Sequence, residues 1–138
     1  MSIDEIQNEI IQEFELYDEW MDKYKQIIEM GAELPELDRA LKTDENIVKG
    51  CQANVWLNCE YIDGKLYFKA DSDAIITKGL IALLLRIYSG QSPDDILNSD
   101  LYSIDKIKLK EHLSPNRANG LSAMYNRIKM CALKNIKK

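Results

Sequence analysis

The sequence predicts an α+β fold, with helices packed on a small antiparallel β-sheet. Apolar residues recur at spacings of three and four through the first thirty positions, as a buried helical stripe requires. Two stretches with period-two alternation then flank Asp63-Gly64, a strong hairpin turn signal. After the hairpin come a long apolar segment and two Ser-Pro helix starts. Helices, then a hairpin, then helices is the order of an α+β protein. The chain has 138 residues, 46% of them hydrophobic and 30% charged, so a single domain over residues 1–138 with a substantial core is expected. No internal repeat, low-complexity segment or linker interrupts it.

Residues 3–30 form the first helical segment. Ile3, Ile6, Ile10, Phe14 and Tyr17 make one stripe, and Trp20, Met21, Tyr24, Ile27 and Ile28 a second. A bend near Tyr17-Asp18 turns both toward one core, and Gly31 is the expected stop. Residues 32–43 contain Pro35 and little periodicity, and read as an irregular arm held by Leu34, Leu37 and Leu41. In the hairpin, Val55, Leu57, Cys59 and Tyr61 share one strand face, and Leu66, Phe68 and Ala70 the matching face of the next. Residues 46–51 are expected to add a short third strand.

Ser72-Asp73 is the expected cap of a helix over residues 74–89. That helix is apolar nearly all round, which places it in the middle of the protein over the sheet, and Gly90 ends it. Ser92-Pro93-Asp94-Asp95 opens a short helix, another is expected over residues 104–112, and Ser114-Pro115 starts the last, ending near Ala132 or Leu133. Leu121, Met124, Tyr125 and Ile128 face inward on it.

The net charge of −5 is unevenly spread. Residues 1–45 hold 14 acidic and 4 basic side chains, a local net of −10, and residues 46–138 hold 9 and 14, a local net of +5. An acidic front half disfavours nucleic acid, whose phosphates it would repel. Arg127, Lys129, Lys134, Lys137 and Lys138 read as cations at the negative end of the last helix dipole, with a functional docking patch as the alternative. The apolar stretch of residues 74–88 carries Lys78 and Arg86 and is too short to span a bilayer. The N-terminus lacks a basic region and a small-residue cleavage site, so a cytoplasmic setting is expected. Three cysteines, an odd number in such a chain, point to reduced thiols.

Cys51 is the residue best placed for chemistry. It lies in Val48-Lys49-Gly50-Cys51-Gln52-Ala53-Asn54-Val55-Trp56, where a loop ends and a strand begins. Gly50 permits a sharp bend, and Lys49 supplies a cation that favours thiolate, the nucleophilic form. Spacing alone leaves Cys51 open between a reactive thiol and a small core hydrophobe. Cys59, on an apolar strand face, and Cys131, near the end of the last helix, read as core filling. A zinc or iron–sulfur site made from the three cysteines and His112 is weakly supported, because no Cys-x-x-Cys pair is present. His112 is the sole histidine, so a Cys–His pair and a surface role both stand open. No Gly-rich phosphate loop or Gly-x-Ser-x-Gly elbow appears, and Asp94-Asp95 suit a helix start better than a metal.

Three motifs in order carry a family resemblance across nearly the whole chain. They are Val48-Lys49-Gly50-Cys51-Gln52 with Val55-Trp56; Asp71-Ser72-Asp73-Ala74 with Lys78-Gly79-Leu80-Ile81-Ala82; and His112-Leu113-Ser114-Pro115-Asn116-Arg117 with Asn119-Gly120-Leu121. The chain resembles SufE, the sulfur acceptor of iron–sulfur cluster assembly, and its paralogue CsdE. Cys59 and Cys131 lie outside the family pattern. The resemblance implies a SufE/IscU-like fold, without the three-cysteine ligand pattern of IscU.

It also implies that Cys51 takes persulfide sulfur from a SufS-like or CsdA-like cysteine desulfurase, stimulates that enzyme, and passes the sulfur to a SufBCD-like scaffold. On this reading the protein is a carrier rather than an enzyme. It binds no cofactor or metal of its own, since pyridoxal phosphate belongs to the desulfurase. A homodimer is among the partners allowed, and nucleic acid and membrane are not. Lys49, Gly50 and Gln52 flank the acceptor, and the resemblance places Asp73 and Arg117 near it. Asp73 is expected to cap the central helix and hold the loop covered, and Arg117 to steady a sulfur anion or contact the partner. A metal-binding scaffold and a thiol-independent adaptor are the competing functions.

Overall fold

The computed structural model describes residues 1–136. Helix α1 (Ile3–Glu15) begins with a capping box: Ser2 Oγ accepts from the Glu5 N–H, and the Glu5 carboxylate accepts from the Ser2 N–H. Ile3, Ile10 and Phe14 are buried on its inner face. The expected bend near Tyr17-Asp18 is a full interruption, and a second helix, α2 (Trp20–Glu33), starts after it.

Gly31 does not stop α2. It lies within the helix and faces Gly79 of α3 (Ile75–Tyr88). A Cβ on Gly31 would stand 2.7 Å from the Gly79 nitrogen, and one on Gly79 would stand 2.3 Å from the Ile27 carbonyl oxygen. Both glycines therefore serve close helix–helix approach, not chain reversal. The buried stripe of α2 is narrower than expected. Ile27 and Gly31 are buried, Trp20 and Tyr24 half-buried, and Met21 and Ile28 exposed.

Two 3₁₀ turns, Arg39–Leu41 and Asp44–Asn46, lead across the body, with Leu37 buried and Leu34 and Leu41 half-buried as the arm required. Strands β1 (Val55–Ile62) and β2 (Lys65–Ser72) pair antiparallel, Val55 opposite Ser72 and Ile62 opposite Lys65. Asp63 and Gly64 both have positive φ, 49° and 82°, as a type I′ turn demands. The face formed by Val55, Leu57, Leu66, Phe68 and Ala70 is buried, and α3 packs on β2. The third strand expected over residues 46–51 is reduced to one bridge, Ile47 to Trp56, with the Val48 N–H donating to the Val55 carbonyl. A 3₁₀ turn before it and the bend at Gly50 after it leave no room for more.

Helix α3 is buried from Gly79 to Leu85 and again at Ile87 and Tyr88, but Ile75 at its start is 68% exposed. Gly90, with φ 86°, ends the turn and donates its N–H to the Leu66 carbonyl. Ser92 caps α4 (Pro93–Asn98) through the Asp95 N–H. The helix expected over residues 104–112 is split into α5 (Tyr102–Lys106) and a 3₁₀ turn, Lys110–His112. Ser114 Oγ accepts from the Arg117 N–H and caps α6 (Pro115–Asn135), which buries Leu121, Met124, Ile128 and Ala132.

Two further expectations are corrected. The basic residues of α6 mostly do not serve its own dipole. Lys129 Nζ donates to the Ile96 and Ser99 carbonyls, 2.7 and 3.1 Å away, at the C-terminal end of α4. Arg127 donates to the carbonyls of Ile47 and Glu45. Lys134 alone of the named cations lies in the last turn, and Lys137 and Lys138 fall outside the described residues. Cys59 and Cys131 are not reduced core fillers. They form a disulfide joining β1 to α6, with Cα atoms 6.8 Å apart. Sequence could not bring together two half-buried thiols separated by 72 positions. Among the described residues, no helix is long and apolar enough to cross a membrane.

Replacing Gly79 by Ala drives a methyl group into the Ile27 backbone, which has no rotamer to yield. Denaturant titration of Gly79→Ala is expected to show a loss of about 3 kcal/mol, at the upper end of ordinary overpacking costs. A loss below about 0.5 kcal/mol, the scale of a neutral surface change, would contradict the close approach.

Candidate functional site

The Cys51 loop is held on one side by the sheet and on the other by α6. Gly50 has φ 95°, a conformation that L side chains rarely adopt, and its backbone runs against Ala123. Cys51 is half-buried, with Sγ 3.6 Å from the Gly120 carbonyl oxygen, where the thiol acts as a weak donor. Burial pushes its pKa up from the ordinary thiol value, so the resting group is protonated at neutral pH. This corrects the expectation of a thiolate favoured by Lys49. Lys49 is exposed and lines a separate groove with Cys59, Arg127, Cys131 and Lys134.

A cleft of about 380 Å³ opens at Cys51. Gln52, Thr77, Ser114, Asn116 and Arg117 line it with the cysteine, so three stretches distant in sequence converge on one thiol. Arg117 belongs to the first turn of α6, is exposed, and is the cation of the cleft lining. Gln52 is exposed on the cleft rim.

Asp73 does not cap α3. The N-cap position belongs to Ala74, without a side-chain cap, and Ser72 Oγ accepts from the Ala74 N–H. Asp73 instead grips the end of the Cys51 loop. Its Oδ1 accepts from the Asn54 N–H at 3.0 Å and its Oδ2 from Asn54 Nδ2 at 2.9 Å, while the Asp73 N–H donates to the Asn54 carbonyl at 3.2 Å. The helix-cap expectation is thus corrected, and the side chain's partner is Asn54. Sequence reading gave Asn54 no role. An Asn beside a cysteine loop carries no signal until its partner 19 residues away is known.

Asp71, also without an assigned role, is buried under the same corner. Lys42 and Lys78 pair with its carboxylate at 3.1 and 3.4 Å, and the Ser72 N–H donates to it at 2.8 Å. Burial raises its pKa, but the Lys42 and Ser72 hydrogen bonds and the two ammonium charges outweigh that and hold it below the usual carboxylate value. Lys42 Nζ also sits 5.3 Å from the Trp56 ring centroid, tying the arm to β1.

One stripe of α6 backs the whole loop. Gly120, Ala123, Arg127 and Cys131, spaced three, four and four residues apart, share a helix face. They meet Cys51, Gly50, Ile47 and Cys59 respectively. A glycine inside a helix costs roughly 1 kcal/mol against alanine, and that was the available signal for Gly120. His112 does not join the site. Its ring stacks on Trp20 at 4.0 Å, and its carbonyl accepts from Tyr24. The ligand set considered for zinc or an iron–sulfur cluster is not assembled, since Cys59 and Cys131 bond each other. Among the described residues no group of three or more His, Cys, Asp or Glu is gathered to hold a metal ion.

Residues 8–132 match the model of a family named SufE and described as an Fe-S metabolism associated domain. An uncharacterised SufE-like protein of Rhizobium meliloti (strain 1021) is 44% identical over 127 residues, covering 88% of this chain and 91% of the relative. A second, from Rhizobium etli, is 41% identical over 128 residues, covering 88% and 86%. In fold, the chain is similar to a hypothetical protein from Thermus thermophilus solved in solution. The TM-score is 0.79 at 19% identity, and the match covers 96% of this chain and 97% of the other.

Asp71 makes stability depend on pH in a definite direction. A carboxylate held below its unfolded value stabilises above that value, near pH ~3.9, and the contribution is lost as pH falls through the folded value. Urea titration should find wild type about 1–2 kcal/mol more stable than Asp71→Asn at pH 7. The gap should shrink as pH falls below ~4. A gap of unchanged size at pH 7 and pH 3 would contradict the pairing.

Proposed function

The chain belongs to the SufE family, and from that membership we propose that Cys51 accepts sulfur from a cysteine desulfurase and relays it toward iron–sulfur cluster assembly. The observation that carries this reading is the placement of Cys51. It is the free thiol among the described residues, and it lies in a loop lining a cleft shared with Arg117 and the start of α6. The donor is a SufS-like or CsdA-like desulfurase, whose pyridoxal phosphate frees sulfur from cysteine and leaves it as a persulfide on that enzyme's own cysteine. The recipient is a SufBCD-like scaffold. The setting is the cytoplasm, and the protein acts as a carrier and activator rather than as an enzyme, with no cofactor or metal of its own.

The chemistry balances without an external oxidant. Cys51 loses its proton and attacks the outer sulfur of the donor persulfide. The donor S–S bond breaks, the donor cysteine leaves as thiolate, and Cys51 carries the sulfur as a persulfide. At rest the thiol is protonated by burial and directed at Gly120, so it is a poor nucleophile. Docking must lift it off the Gly120 carbonyl. Gly50 supplies the backbone freedom, the Asp73–Asn54 clamp fixes the far end of the moving segment, and Arg117 supplies the charge that favours thiolate and then persulfide anion. After transfer, return of the loop shields a group that is easily reduced or oxidised.

With a desulfurase, cysteine and a reductant, the wild-type protein should raise sulfide release several-fold, and Cys51→Ser should abolish the increase. Arg117→Ala should lower it by roughly tenfold, the cost of about 1.4 kcal/mol in anion stabilisation. Stimulation left intact in Cys51→Ala would make the protein a thiol-independent adaptor and overturn the proposal.

A further inference from the structure

The Cys59–Cys131 disulfide closes the lower end of the α6 stripe that backs the Cys51 loop. Strand β1 begins four residues after Cys51, and α6 supplies the Gly120 carbonyl that receives its thiol. The loop thus lies between two elements that the disulfide bonds covalently. Beyond the disulfide, the two elements share the hydrophobic core through Val55 and Leu57 on one side and Leu121, Met124 and Ile128 on the other. Helix α6 leans chiefly on α4 and α3, and β1 on β2. Above the disulfide the seam is held by Arg127 on the Ile47 and Glu45 carbonyls, and by the contacts of Ala123 with Gly50 and Gly120 with Cys51.

Cys59 and Cys131 are half-buried and line an open groove of about 540 Å³ with Lys49, Arg127 and Lys134. Its lining mixes charges, Asp44 and Glu45 with the three cations, and exchange there needs access for an attacking thiolate. Direct exchange with Cys51 is barred by distance. Gly120, which touches Cys51, and Cys131 are eleven residues apart on one helix, roughly 16 Å along its axis. The pair is therefore separate from the acceptor thiol and coupled to it only through the seam. In the cytoplasmic setting proposed above, a disulfide bordering an open groove is reduced and re-formed more readily than it serves as a permanent staple.

We propose that Cys59 and Cys131 form a reversible thiol–disulfide site that governs release of the Cys51 loop. Oxidised, the bond pins β1 to α6 and keeps Cys51 against Gly120. Reduced, the seam loses its covalent link and rests on Arg127, the small-residue contacts and the shared core, and the loop lifts more often. The reductant is a dithiol, which donates two electrons. It forms a mixed disulfide with one sulfur, and its second thiol then displaces that cysteine, leaving two thiols on the protein and a disulfide on the reductant. A low-molecular-weight disulfide, such as oxidised glutathione, runs the exchange in reverse.

The inference builds on Cys51 as the acceptor, but its test needs no desulfurase, so the two readings fail separately. Alkylation of Cys51 by iodoacetamide is followed by peptide mass spectrometry in protein equilibrated with oxidised glutathione, in protein reduced with dithiothreitol, and in Cys59→Ala/Cys131→Ala. Circular dichroism confirms that each sample is folded, and the reduced wild-type protein serves should the double variant not fold. Cys51 is expected to react about five-fold faster in the reduced and double-variant proteins than in the oxidised one. Rates within twofold of each other would overturn the proposal, as would three free thiols per chain at every glutathione ratio.

Discussion

The site depends on the contact between the Cys51 loop and one face of α6. Gly120, Ala123 and Arg127 offer that loop a bare carbonyl, a small methyl group and a guanidinium, each matched to what faces it. A larger side chain at position 123 would press on a backbone that already holds φ 95° at Gly50. The contact has an electrostatic consequence. It partly withdraws the thiol from water and raises its pKa. On the proposed relay, exposure and activation become one event, since a movement that presents the sulfur also restores its solvation.

The remaining structure holds that contact in place. The pair of glycines lets α2 and α3 approach closely, and α3 covers the sheet from which the loop departs. Asp71 with Lys42 and Lys78, and Asp73 with Asn54, fasten the corner where β2 passes into α3. Two neighbouring carboxylates there do different work. The buried one is neutralised by two ammonium groups, and the exposed one accepts two N–H groups from a single asparagine. The first stabilises the fold, and the second fastens the end of the Cys51 loop.

Much of this was legible in the residue pattern because it rests on local rules. Period-two alternation about Asp63-Gly64 gave the hairpin, whose turn has the backbone angles that dipeptide favours. Ser92-Pro93 and Ser114-Pro115 gave two helix starts, both capped as their spacing implies. The illegible parts are pairings across long sequence separations. Gly31 looks like a helix stop until Gly79 is seen against it, Asp73 looks like a cap until Asn54 claims it, and Cys59 and Cys131 look like core filling until they meet. The protonated resting state of Cys51 was hidden for the same reason. Lys49 is adjacent in sequence but lines another groove, whereas Arg117, 66 positions on, lines the cleft.

The central claim is that sulfur resides on Cys51 during turnover, and its most direct test is mass spectrometry of trapped protein. After incubation with a desulfurase and cysteine without reductant, followed by rapid alkylation, the Cys51 peptide should carry an extra mass of about 32 Da, one sulfur atom gained by exchange. The same peptide found only in its unmodified alkylated form beside an active desulfurase, or the added sulfur found elsewhere in the chain, would contradict the account.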